Sequence, residues 1–117
     1  MNHKQFHGTW TALITPFKTG GKVDFASFDQ LIKKQVEAGI TGILIGGTTG
    51  ESPTLSDKEL IDLIQRAKRL VNNKCLIMAG CGTNCTQKSI EKTKNAQNAG
   101  ADVLLVVNPY YNKPTQQ

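Results

Sequence analysis

At 117 residues, with 38% hydrophobic and 20% charged side chains, the chain has the size and balance of one folded domain with an ordinary core. Its formal net charge of +5 comes from lysines and arginines scattered among acids, and aromatics are few, which argues against a nucleic-acid partner. No run approaches the roughly 18 apolar residues of a membrane span, and the opening "MNHKQFHGTW" lacks the apolar centre of a secretory signal, so a cytoplasmic protein is expected.

His3 and His7 lie near a terminus expected to be flexible, and neither is assigned a role. The first apolar run is "TALIT", Thr11–Thr15. A helix follows, with Phe28, Leu31, Ile32 and Val36 as its stripe and Gly39 as its stop. "GILI", Gly42–Ile45, is the second run. The next helix opens at "SDKE", where Ser56 and Glu59 have the spacing of a capping box. Leu60, Leu63, Ile64, Ala67, Leu70 and Val71 give it a continuous apolar stripe. "CLIMA", Cys75–Ala79, is the third run, and a mostly polar helix is predicted from Thr86, as its cap, to Ala99 before Gly100. "VLLVV", Val103–Val107, is the fourth run.

The four runs recur roughly every thirty residues, the length of a βαβ unit. None alternates apolar with polar residues, which predicts a parallel sheet covered on both faces. "EAGITGILIGG" and "NAGADVLLVVN" echo one another, as repeated units would. No Pro-, Ser- or charge-rich linker divides the chain, so residues 1–117 read as one domain of the α/β class.

In such folds function gathers where strands end. Those ends are "TPF", "GGTTGES", "GCGTN" and "NPYYNKP", and the opposite connections are plainer. In "GGTTGE", glycines permit close backbone approach and successive N–H groups can cup an anion beside the hydroxyls of Thr48 and Thr49. The competing reading is a glycine turn whose hydroxyls only satisfy backbone groups. A phosphate loop is excluded, since Glu51 stands where Lys-Ser/Thr would be needed. Glu51 is read as a structural acceptor for backbone donors. Tyr110 and Tyr111, between prolines, are a proton relay, an interface anchor, or rings packed on a helix. Cys75, Cys81 and Cys85 make neither an even disulfide set nor a zinc spacing, and reduced thiols are expected. Cys81 and Cys85 flank a predicted helix start, which lowers a thiol pKa, but no histidine accompanies them and an inert role is favoured.

"TALITPF", "GGTTGESPTL", "AGCGTN" and "AGADVLLVVNPYYNKPTQ" together resemble the amino-terminal half of the dihydrodipicolinate synthases, within the pyruvate-dependent aldolase family that also holds N-acetylneuraminate lyase. The resemblance runs from about Gly8 to Gln117 and implies a TIM barrel, which needs about 250 residues. The chain would then be an incomplete half-barrel of parallel strands one to four, inactive unless completed. The implied chemistry condenses pyruvate, held as a lysine Schiff base, with aspartate semialdehyde on the diaminopimelate route to lysine, without cofactor or metal. By resemblance, Thr48 and Tyr111 belong to a proton relay, Thr48 and Thr49 bind substrate with Thr49 clamping the pyruvate carboxylate, and Tyr111 reaches into a neighbouring subunit. The family's assembly is a homotetramer.

The Schiff-base lysine, its assisting tyrosine and the arginine for the second substrate would belong to the half not present here, and Lys113 sits in ordinary turn sequence. Alone, the chain is expected to self-associate or to need that half. The alternatives are another keto-acid or sugar-acid aldolase of the family, or a non-catalytic half-barrel. Paired threonines favour the synthase, since the lyase branch commonly has serine then threonine. Cys81 between two glycines departs from the family's usual hydroxyl residue. Lys88 stands where regulated members have an acid, and "SPTLSDKEL" lacks their histidines. A cation beside a cationic effector costs affinity, so a completed enzyme should show weak or no inhibition by free lysine. Inhibition at millimolar lysine or below in a condensation assay would contradict this.

Overall fold

The computed structural model describes residues 3–116. Four strands, β1 (Trp10–Ala12), β2 (Gly42–Ile45), β3 (Leu76–Gly80) and β4 (Val103–Leu105), alternate with three helices, α1 (Phe25–Glu37), α2 (Asp57–Val71) and α3 (Thr86–Ala99). The sheet order is β1-β2-β3-β4 and every pairing is parallel. Chain order and spatial order coincide, with no reversal. That is the winding of a βα barrel rather than of a doubly wound sheet.

Each helix forms for a reason visible in its ends. The carboxylate of Asp24 accepts the Ser27 backbone N–H and hydroxyl at 3.1 and 2.8 Å, which starts α1 and holds that carboxyl below its ordinary pKa. Gly39, at φ 73°, lets the chain turn away after it. At α2 the capping box is complete: Ser56 Oγ accepts the Glu59 N–H, and Glu59 accepts the Ser56 N–H. Asn72, in the left-handed region, ends α2. Gly100 ends α3 at φ 106°.

The start of α3 differs from expectation. Cys85, not Thr86, holds the cap position, and its side chain caps nothing. The loop before it is fixed instead by Thr83, whose hydroxyl accepts the Cys85 N–H at 3.1 Å, and by Ser89, whose hydroxyl accepts the Thr83 N–H at 2.8 Å. A serine one turn inside the helix thus ties down the preceding loop. Near the amino terminus, residues 3–6 form a 3₁₀ turn whose Phe6 carbonyl accepts the Trp10 indole N–H at 3.0 Å.

The core lies between one face of the sheet and the helices. Ile43, Ile45, Ile77 and Ala79 point into it and meet Phe28, Ile32, Leu63, Ile64 and Val71. Arg66 of α2 grips Asp29 of α1 through two nitrogens, with Nη2 to Oδ2 at 2.9 Å, and lies 5.3 Å from the Phe25 ring. Asp102, in a connection that reads as plain in sequence, accepts from Ile77 N–H and from Lys68 Nζ and so joins β3, β4 and α2.

Coverage of both sheet faces is not what the structure shows. The register aligns Ala12, Leu44, Met78 and Val103 on the face away from the helices. Among the described residues no helix covers that face, and along it Ile14, Leu105 and Val107 are 52%, 45% and 50% exposed. An all-parallel sheet with one bare apolar face and two open edges is prone to pairing with other chains. Expressed by itself, this 117-residue chain should sediment as a distribution of associated species. A single sharp monomer boundary in analytical ultracentrifugation would contradict that.

Candidate functional site

The carboxyl ends of the four strands meet at one rim of the sheet, and the loops there are built on backbone contact. After β2 the chain turns at Gly46, φ 68°, where a Cβ would lie 2.6 Å from a Leu60 methyl. A Cβ on Gly80 would lie 2.2 Å from the Gly46 carbonyl oxygen, and one on Gly82 would lie 2.3 Å from the Val107 nitrogen. At both positions the missing side chain lets backbone pack on backbone. They bring the loops after β2, β3 and β4 into one wall.

Within that wall, residues 47–50 form a four-residue turn. The Gly47 carbonyl accepts the N–H groups of Gly50 (3.1 Å) and Ser52 (3.3 Å), and the Thr48 carbonyl accepts that of Glu51 (3.0 Å). Thr48 and Thr49 occupy the two apical positions and are exposed. Among the described residues, neither their hydroxyls nor their amide N–H groups bond to anything in the chain. This contrasts with Thr15, Thr54 and Thr83, whose hydroxyls are all engaged. A turn whose threonines merely satisfied the backbone would show those bonds. What stands at the apex is four donors that no group in the chain engages, the kind of equipment that can hold an anion.

Glu51 does not act as its sequence suggests. Its side chain caps nothing, and its backbone, at φ 58°, supplies the acceptor: the Glu51 carbonyl takes the Thr54 N–H at 2.9 Å and hydroxyl at 2.8 Å. A left-handed residue here swings the chain into the 3₁₀ turn Ser52–Thr54, leaving the carboxylate outside.

A cleft of about 310 Å³ opens beside the turn, and its lining includes Gly47, Thr48, Thr83, Lys92, Leu105 and Tyr110. Thr48 therefore faces the cleft, whereas Thr49 and Tyr111 lie outside its lining. Tyr111 is 93% exposed and has φ 66°, a left-handed conformation uncommon for a bulky residue. It sits at the centre of a three-residue turn closed by Asn112 N–H on the Tyr110 carbonyl at 2.8 Å, and the Asn112 amide donates to the Asn84 carbonyl at 3.2 Å. The two tyrosines thus divide, one ring into this cleft and one away from the chain. Adjacent positions in a loop carry no sequence signal for that division.

Cys75 and Cys81 are buried and Cys85 is half-buried, and all three are free thiols. Cys81 is fully buried, and burial pushes its thiol up, with the Thr93 hydroxyl and Lys92 opposing weakly. Cys75 is raised chiefly by burial and further by Asp102. The pull expected of a helix start does not decide the state of Cys81. Among the described residues no group of three or more His, Cys, Asp or Glu side chains could hold a metal, and no helix is long and apolar enough to cross a membrane.

Residues 5–117 match the model of the dihydrodipicolinate synthetase family. The chain belongs to that family. It is 47% identical over 114 residues to the 4-hydroxy-tetrahydrodipicolinate synthase of Bdellovibrio bacteriovorus, a match spanning 97% of this chain and 39% of that one. The crystal structure of dihydrodipicolinate synthase from Aquifex aeolicus superposes with a TM-score of 0.90 at 46% identity, over 95% of this chain and 38% of the other. The chloride-inhibited enzyme of Acinetobacter baumannii complexed with pyruvate gives 0.90 at 44% identity, over 93% and 38%. The chain thus spans about two-fifths of the length of the relatives it matches, and its four-stranded parallel sheet is the amino-terminal part of the family's barrel.

The raised thiols set a pH dependence for this dihydrodipicolinate synthetase segment. Each folded-state pKa lies above its unfolded value, so the contribution of Cys75 and Cys81 is intact below the ordinary thiol value of about 8.5 and is lost as pH rises past it. Urea midpoints should therefore fall between about pH 8 and about pH 10 more steeply for the parent than for a Cys75→Ala, Cys81→Ala variant. Parallel curves would refute the assignment.

Proposed function

We propose that these residues form the amino-terminal part of a 4-hydroxy-tetrahydrodipicolinate synthase, a single partial-barrel unit that supplies the acid–base and carboxylate-binding side of its active site. The observation that carries this reading is the pair of apical threonines with free hydroxyls and free amide N–H groups, Thr48 facing a cleft at the carboxyl ends of parallel strands.

In this reading a lysine from the remainder of the barrel attacks the pyruvate carbonyl. Water leaves and an imine forms, with the amine nitrogen now bonded to the former carbonyl carbon. Loss of a methyl proton gives the enamine, whose carbon adds to the aldehyde of aspartate semialdehyde. Thr49 and the turn's amides hold the pyruvate carboxylate, for which outward-pointing donors are the right equipment. The Thr48 hydroxyl passes protons to and from the phenol of Tyr111. Because the Tyr111 ring points away from its own chain, its partner threonine is that of a neighbouring subunit, and the exposure and left-handed backbone of Tyr111 support this placement in a homotetramer. Three free cysteines fit a cytoplasmic location.

The test is reconstitution. Co-expressed with the lysine-bearing remainder of the Bdellovibrio relative, the chain should support pyruvate-dependent condensation, and borohydride with labelled pyruvate should mark the remainder alone. Thr48→Val should lower kcat by about two to three orders of magnitude while the imine still forms, and Thr49→Val should act mainly on the pyruvate KM. Label on this chain would overturn the division of roles. Condensation with a sugar aldehyde in place of aspartate semialdehyde would move the enzyme to another branch of the family.

A further inference from the structure

We propose that Thr15 is a positioning residue for the Thr48–Thr49 turn, acting from the end of β1 through a single hydrogen bond; this rests on the reading of that turn as the pyruvate clamp. Thr15 is the one buried polar side chain among the described residues, 5% exposed. A hydroxyl taken out of water is unfavourable unless it finds a partner. Its partner is the Gly50 carbonyl, which accepts from Thr15 Oγ1 at 2.7 Å.

That acceptor is the last residue of the turn, immediately beyond Thr49. The remaining hydrogen bonds of the turn are internal to residues 47–55: Gly50 and Ser52 on Gly47, Glu51 on Thr48, Thr54 on Glu51 and Leu55 on Ser52. Internal bonds fix the shape of the turn but not its place on the rim. Among the described residues, the Thr15 bond is the one hydrogen bond that ties this stretch to another part of the chain.

The seat is also tight. A Cβ on Gly50 would lie 3.1 Å from the Leu13 carbonyl oxygen and 3.2 Å from Thr15 Oγ1, so the turn's backbone rests directly on the end of β1. Thr15 does not line the cleft, so it touches no substrate there; its effect reaches the chemistry only through where Thr48 and Thr49 are held. A clamp must be placed within about half an ångström to act in the transition state.

Two substitutions in the reconstituted enzyme separate positioning from packing. Thr15→Val keeps the shape and removes the donor, and Thr15→Ser keeps the donor and removes a methyl. Thr15→Val should raise the pyruvate KM about ten- to hundredfold with a smaller change in kcat, and should speed hydrogen exchange at the Gly50 and Ser52 amides. Thr15→Ser should restore both. Wild-type KM and exchange in Thr15→Val, or equal damage in Thr15→Ser, would overturn the proposal, the second outcome because it would make the methyl, not the hydroxyl, the operative group. If faster exchange is seen with an unchanged KM, the turn is held by Thr15 but the clamp does not depend on it, and the positioning role falls. If the wild type binds no pyruvate at all, it is the clamp reading that fails, while the exchange data still decide whether Thr15 fixes the turn.

Discussion

The rim of this sheet depends on backbone meeting backbone with no side chain between. The Gly46 carbonyl sits where a Cβ of residue 80 would be, and the Val107 nitrogen sits where a Cβ of residue 82 would be. A side chain at either position would have to displace main chain, since no flexible neighbour is there to yield. The contacts compress the ends of β2, β3 and β4 into one continuous wall, and the Thr15 hydroxyl adds the end of β1. The loop after β2 and the loop after β4 share one cleft. The polar groups then divide between scaffold and site. Thr15, Thr54, Thr83 and Ser89 commit their hydroxyls to the scaffold, and Thr48 and Thr49 keep theirs free.

What the amino-acid sequence reveals most directly is whatever is determined locally. β2 falls on "GILI" without error, α2 begins at its capping box, and α3 ends at Gly100, because periodicity and caps are properties of neighbours a few residues apart. β1 and β4 are shorter than their apolar runs, for they are the sheet's two edges and have a partner on one side only. The displaced cap of α3 has a similar origin. Thr86 has the right chemistry, but the loop before it is settled by Thr83 and by Ser89 a helical turn further on, a pairing that no capping pattern encodes.

The site is legible in the sequence as a set of loops, and less so as a set of roles. Glycines before hydroxyls mark "GGTTGES", yet the use of Gly80 and Gly82 for main-chain packing depends on strands that are neighbours only after folding. Thr15 is visible in a weaker form. It shares the parity of Leu13 in an otherwise apolar run, opposite to the exposed Ile14, and a hydroxyl on the buried parity must find a partner. Nothing local says that the partner is 35 residues away. The opposite fates of Tyr110 and Tyr111 follow from one left-handed residue, and left-handed backbone at a tyrosine has no sequence signature.

Continuous apolar runs predict strands covered on both sides, and one side is bare. The family membership resolves the discrepancy. A parallel barrel fills its interior with layers of side chains from alternate positions of its strands, so each strand needs apolar residues on the helix side and on the axial side alike. Ile43 and Ile77 serve the first need, and Leu44, Met78 and Leu105 the second. The bare face is therefore the axial face of a barrel, and the runs reflect a packing requirement that four strands cannot meet among themselves. The open axis ends at the rim that carries the Thr48–Thr49 turn, which is where the proposed mechanism puts its chemistry. In the proposed mechanism the lysine stands on that open axis, facing the cleft beside the turn.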